Sequence, residues 1–171
     1  MPSILKNFVV KWVIVAVEAV VLIILAGWVA KNYLGALIAR KPSIHNLNLA
    51  EKYSPGDAYY PHMQGRLYQY SLNDVDPSMA LVKLSRAVRL NTYEPQSWLD
   101  LGAALELQGE IEPAEQCLRR ADFLAPRQPG DQWAIANFFI LHGNIDEAFK
   151  HLQMVLASDP SYDATIFTTA W

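Results

Sequence analysis

The side chains best equipped for chemistry in this 171-residue chain are four histidines, one cysteine and a glutamate set inside an apolar run. His45, His62, His142 and His151 show none of the spacings of a zinc site, so they are expected at the surface or at helix ends. A single cysteine, Cys117, permits neither an internal disulfide nor a cysteine-based metal site. It lies one residue before an apolar position, Leu118, and is expected to be a packed thiol. There is no glycine-rich phosphate loop, no nucleophile elbow and no haem-attachment pair of cysteines. Acidic residues fall mostly at turns and helix starts, as in Asp146-Glu147, where they suit the helix dipole. The residues therefore predict no catalytic, cofactor-binding or metal site, and no enzyme.

Glu18 stands apart because of where it sits. Trp12 to Ala30 reads WVIVAVEAVVLIILAGWVA, with Glu18 as its one charge. A helix of roughly 20 apolar residues spans a hydrocarbon core, so this segment predicts a transmembrane anchor. Trp12 and Trp28 lie near the ends of the span, where indole rings favour the headgroup level, and Lys11 and Lys31 flank it and can snorkel. A cleaved signal peptide needs small residues before the cut; Trp28 occupies that place, which favours an uncleaved anchor. A carboxylate inside a bilayer costs a few kcal/mol, about 2.5–3.5 on insertion scales, unless it pairs, protonates or faces protein. Two readings of Glu18 stand: a contact with a polar or basic group on a neighbouring transmembrane helix, or a tolerated acid on a helix that shifts in depth. Orientation is nearly balanced, with Lys6 and Lys11 on one side and Lys31, Arg40 and Lys41 on the other. The expectation is the N-terminus in the cytoplasm and the remainder outside.

Beyond the anchor the balance of charge turns acidic. Residues 1–39 hold three lysines and one glutamate; of the 14 basic and 17 acidic residues in the chain, 11 and 16 follow them, a net charge of −5. Nucleic-acid phosphates demand clustered Lys and Arg, so the charge argues against nucleic acid as a partner, and none is expected. Arg119, Arg120 and Arg127 sit among Glu115 and Asp122 and read as a solvated helix face.

The soluble part is helical in pattern, broken at Pro55, Pro77, Pro95, Pro113, Pro126, Pro129 and Pro160. Trp98-Leu99-Asp100-Leu101-Gly102 is followed by Leu105, Gly109, Ala114, Leu118, Ala121 and Pro126. A shift of 34 residues carries Gly102 to Ala136, Leu105 to Phe139, Gly109 to Gly143, Ala114 to Ala148, Leu118 to Leu152, Ala121 to Val155 and Pro126 to Pro160. The backward shift carries Ala114 to Ala80, with Leu84 and Ala87 in step and Thr92 in place of the proline. Gly65 and Tyr68 take the small and large roles of the earlier first helix, Pro61 to Tyr70, with three extra residues in the turn Asn73–Pro77. Small residues let paired helices approach closely and the large ones fill the space between them.

This pattern resembles the tetratricopeptide repeat, a helix-turn-helix hairpin of 34 residues. The resemblance implies an all-α fold: one N-terminal transmembrane helix followed by a short α-solenoid. The expected boundaries are an anchor and juxtamembrane segment over 1–41, a half-repeat helix over 42–56 around Leu47 and Ala50, and three repeats over 57–93, 94–128 and 129–162. A further helix is expected to begin over 163–171. It would lack the polar cap that solenoid ends need, so either a partner covers this end or the chain is part of a longer protein.

In this family the first helix of each hairpin lines a concave groove. Carried over by position, the groove residues are Tyr59, His62, Arg66, Gln69 and Tyr70; then Leu99, Ala103, Glu106 and Leu107; then Trp133, Asn137, Ile140 and Leu141. Aromatics, amides and one arginine suit an extended peptide or a partner helix. The family's carboxylate clamp is not reproduced, since only Asn137 occupies a comparable place, which argues against a receptor for peptide C-termini. The resemblance implies a non-catalytic scaffold or accessory subunit of a bacterial membrane complex. Its expected partners are an integral membrane protein met by the anchor and Glu18, a protein or peptide met by the groove, and the lipid bilayer. A transient assembly or transport factor, in cytochrome maturation, envelope glycan assembly or protein secretion, is the alternative.

Overall fold

The computed structural model describes the backbone of residues 2–158 and the side chains from Val10 to Ser158. The expected helix over 163–171 and the last residues of the third repeat lie outside that range. Among the described residues there are eight α-helices and no strand. They fall into two compact units, Met1–Asp57 and a second beginning at Ala58.

In the first unit, α1 (Pro2–Ala39) runs without a break because nothing between Ser3 and Ala39 interrupts it: no proline, and an almost unbroken apolar sequence. Within it, Val10–Ala39 is long and apolar enough to cross a membrane by length and composition. The helix stops just before Pro42, whose ring disfavours helical backbone at the preceding residue. Ser43 then caps α2 (Ile44–Tyr53), its hydroxyl accepting from the Asn46 N–H at 3.1 Å.

α2 packs back along the last turns of α1. Among the described side chains, Gly35 and Ala39 are buried in α1, and Leu47, Ala50 and Glu51 in α2, the first two of these fully. The Ser54 hydroxyl donates to the Asn32 side-chain carbonyl, and the Asn32 amide donates to the Trp28 carbonyl at 2.9 Å. The C-terminal end of α2 is thereby fixed beside Asn32. The sequence pattern treats α2 as half of a hairpin; its partner helix is the end of α1 itself. Asn32, Gly35 and Ala39 fall on one helical face, a signal hidden by the apolar composition around them.

The second unit is a row of three hairpins: α3 (Tyr59–Tyr70) with α4 (Pro77–Leu90), α5 (Pro95–Leu107) with α6 (Ile111–Leu124), and α7 (Pro129–Leu141) with α8 (Ile145–Ser158). Proline opens α4, α5 and α7, where its missing N–H costs nothing. Asp76 caps α4 by accepting from the N–H groups of Ser78 and Met79.

The two later turns share one construction. Gly109 (φ 80°) and Gly143 (φ 75°) take the left-handed conformation just past α5 and α7. Around each, two backbone bonds satisfy the last carbonyls: Gly109 to Glu106 and Glu110 to Leu105, then Gly143 to Ile140 and Asn144 to Phe139. The α3–α4 turn has no such glycine. It takes residues 71–76 where the other turns take three, and closes with Asp76 donating to the Tyr68 carbonyl at 2.9 Å.

The small residues do what the pattern asks of them. A Cβ on Gly65 would lie 2.5 Å from Leu84 Cγ, and one on Gly102 would lie 3.0 Å from Leu118 Cδ2. Successive cores then share residues between hairpins. Leu84 and Val88 of α4 pack with Leu101, Ala104 and Cys117, and Leu99, Ala114, Leu118 and Ala121 pack with Ile135, Phe138 and Phe139.

Candidate functional site

The first helices α3, α5 and α7 lie next to one another along the row, so their outward faces form one surface. Part of the expected groove is spent on joining the repeats. His62 Nε2 lies 2.6 Å from Asp100 Oδ2, with Arg66 Nε at 3.6 Å from the same oxygen and Gln96 donating to the other at 3.4 Å. His142 Nε2 lies 2.8 Å from Glu106 Oε1, tying α7 to α5. His62 and Glu106 thus stitch neighbouring hairpins, as does Asp100, a buried carboxylate outside the groove register.

Leu99 is in the core with Ile135 and Phe138 rather than on the surface, because α5 turns it toward α7. Ile140 is half-buried against two core clusters, and Trp133 half-buried against Ala136, Leu152 and Val155. Asn137, Ala103 and Gln69 are also half-buried; both amide atoms of Gln69 are enclosed without a hydrogen-bond partner among the described residues. Arg66 and Tyr59 remain exposed.

What remains is a row at one end of the helices. Tyr70, Leu107 and Leu141 are the last residues of α3, α5 and α7, and they are 56%, 72% and 74% exposed. Each sits where the chain turns away, so no neighbouring helix covers it. Partial burial and the nearby Asp100 carboxylate raise the Tyr70 hydroxyl above its ordinary value, against the opposing Arg66 charge. Acidic field also gathers at the start of α7. There, burial and then the charges of Glu94 and Asp100 raise the Asp131 carboxyl above the usual carboxylate range.

One buried polar group has no counterpart in the pattern. Gln132 stands 34 residues after Trp98, in the place of the repeat's tryptophan, and is fully buried. Its amide donates to Asp122 Oδ1 at 2.6 Å, and its carbonyl lies 2.6 Å from His151 Nδ1. The His151 ring stacks on Phe139 at 5.7 Å and 10°. His151 is therefore buried and His62 half-buried, rather than at the surface or a helix end as expected, whereas His45 is exposed in α2. The correction has a physical cause: each imidazole finds a buried polar partner that offsets its desolvation.

Burial lowers the His151 pKa below its ordinary 6.5, opposed by Asp122 and Glu147 and assisted by Arg119 and Lys150. A depressed histidine favours the fold while neutral. Its contribution is fully present above about 6.5, the unfolded value, and is lost as pH falls through that value toward the folded pKa. Thermal denaturation between pH 8 and pH 5 is therefore expected to show a falling midpoint below about pH 6.5. His151→Gln should flatten that fall relative to the unmodified chain; an unchanged slope would mean that His151 does not carry it.

Cys117 is buried in α6, where burial pushes its thiol up to about 11, so it is held as a neutral packing group. Arg119 is exposed, pairs with Glu115 at 2.6 Å and lies 5.5 Å from the centre of the Phe139 ring. Among the described residues no group of three or more His, Cys, Asp or Glu side chains could hold a metal ion.

These hairpins, with small residues at the crossings and a 34-residue period, have the tetratricopeptide-repeat fold. Solved structures bear this out. YrrB, described as a tetratricopeptide-repeat protein with an unusual peptide-binding site, is similar with a TM-score of 0.61 at 17% identity, over 75% of this chain and 64% of its own. The MamA of Desulfovibrio magneticus RS-1 is similar with a TM-score of 0.61 at 16% identity, over 78% and 76%. A second MamA structure gives a TM-score of 0.59 at 20% identity, over 71% and 69%. The chain thus spans under two-thirds of YrrB and somewhat more of MamA. No family model and no curated protein sequence matches the chain.

Proposed function

We propose that this chain is a non-catalytic protein-interaction module, anchored in a bacterial inner membrane by α1 and serving as a scaffold subunit of a multisubunit membrane complex. The observation that carries the reading is the exposed row Tyr70, Leu107 and Leu141, in register at the ends of three adjoining helices. A soluble surface that keeps a large apolar side chain at the same place in three repeats is suited to a protein or peptide partner. Arg66 and Asn137 supply polar contacts beside the row, and YrrB's peptide-binding site supports the same use of the fold. The span Val10–Ala39 supports the anchor, and Glu18, exposed on it, is the group through which a neighbouring transmembrane helix is met. The solenoid lies on the periplasmic side.

Crosslinking mass spectrometry on intact membranes tests both surfaces. Leu107→Asp with Leu141→Asp is expected to cut crosslinks from the solenoid to its partner about tenfold or more, as for loss of an interface anchor. Both positions are exposed, so helix content should not change. Glu18→Leu is expected to reduce co-purification of the membrane partner while leaving the solenoid crosslinks in place. Undiminished crosslinks in the first variant would remove the row from the interface, and absence of this chain from the mature complex would favour a transient assembly factor.

A further inference from the structure

We propose that the open groove between Lys31 of α1 and Leu49, Lys52 and Tyr53 of α2 binds the phosphate-bearing headgroup of an anionic phospholipid. The proposal rests on α1 spanning a membrane. Trp12 to Ala30 covers about 28 Å at 1.5 Å per residue, close to the thickness of a hydrocarbon core. Lys31 is the first residue past that stretch. The hairpin decides what joins it there: α2 runs back along α1 until Ser54 bonds to Asn32, which brings Lys52 and Tyr53 to the level of Lys31. Lys31 and Lys52, 21 residues apart in sequence, are thus gathered where phosphates lie.

The groove, about 340 Å³, has the chemistry for such a ligand. Lys31 and Lys52 are exposed and form no ion pair within the chain among the described residues, while Glu51, next to Lys52, is buried. Leu49 and Tyr53 offer an apolar wall for the glycerol and upper acyl carbons. Trp28 and Tyr33, 64% and 65% exposed, flank the same level on α1, as interfacial aromatics do. Two lysines among the residues that line one opening favour a lipid of net negative charge over a zwitterionic one, whose own cation would compete for the phosphate.

The full chain in phosphatidylcholine nanodiscs doped with phosphatidylglycerol, followed by native mass spectrometry, reads the site directly. Phosphatidylglycerol is expected to be retained over phosphatidylcholine by about tenfold relative to its abundance. Lys31→Gln with Lys52→Gln should abolish the preference, and Lys11→Gln, at the other flank of the span, should preserve it. Equal loss in the Lys11 variant would reduce the effect to general basicity and overturn the site. Inorganic phosphate in excess should leave the retained lipid unchanged; displacement would assign the groove to a free anion and overturn the lipid. Alkaline extraction of native membranes separates the two readings. A chain that stays in the membrane yet shows no lipid preference overturns this inference alone, and a chain that is extracted overturns the anchor and the inference together.

Discussion

Phe139→Ala is expected to lower the stability of the solenoid unit by about 3–5 kcal/mol, a large share of the roughly 5–15 kcal/mol available to a domain. Phe139 is 1% exposed and belongs to the core that joins α6 to α7, with Ala114, Leu118, Ala121 and Ile135 around it. Its ring also meets Phe138 edge-on at 5.4 Å and carries the stacked His151. Truncation leaves a cavity bounded by three helices and strips one face from a buried imidazole. Stability in such a row is close to a sum of nearest-neighbour terms, so the loss should fall first on α7 and α8. Urea denaturation should show a lower midpoint, and hydrogen exchange should rise in Pro129–Ser158 before it rises in α3 and α4. Phe123→Ala supplies the contrast: Phe123 is 74% exposed, and its loss should stay within about 0.5 kcal/mol. Comparable losses from the two variants would remove Phe139 from the core contact.

The repeat was legible because its signal is local and repeated. Ala80, Ala114 and Ala148 recur at one interval and are all buried, as are Leu84, Leu118 and Leu152. The size of the α3–α4 insertion was legible for the same reason: with the phase fixed on both sides, only three residues were left over. Contacts that cross between helices were not. The burial of Gln132 depends on Asp122, ten residues earlier, and His151, nineteen later. Leu99 occupies a groove position in the family register, yet the packing of α5 against α7 takes it inside. His62 and Glu106 also hold groove positions in that register, yet their pairing with Asp100 and His142 joins residues 38 and 36 apart. No periodicity encodes such a pair. The end of α1 was hidden for the opposite reason. Its packing face, Asn32, Gly35 and Ala39, is embedded in a largely apolar sequence, so no contrast between polar and apolar faces marks it.

The other large effect turns on a single missing methyl group. Gly65→Val is expected to cost at least about 3 kcal/mol, at the upper end of what overpacking usually exacts. Alanine is the sharper test, because in a helix interior it should gain about 1 kcal/mol over glycine. At Gly65 a Cβ would stand 2.5 Å from Leu84 Cγ, 2.8 Å from Cδ2 and 3.2 Å from the Leu84 backbone nitrogen. Leu84 is fully buried, and Cγ is not the free end of a flexible chain, so α3 and α4 must move apart. The overlap should outweigh the propensity gain, and Gly65→Ala should destabilise by about 1–3 kcal/mol. Gly102 is the milder case, with Leu118 Cδ2 at 3.0 Å, Cγ at 3.1 Å and the Ala114 carbonyl at 3.2 Å. Gly102→Ala should therefore cost less than Gly65→Ala. A double-mutant cycle isolates the cause. Leu84→Ala alone should cost about 2–5 kcal/mol, but in the Gly65→Ala background the new methyl occupies part of the space left by the leucine. The double variant should then be more stable than the sum of the two losses predicts, by about 0.5–3 kcal/mol. Simple additivity in denaturant midpoints would mean that the Gly65–Leu84 contact does not set the spacing of the first hairpin.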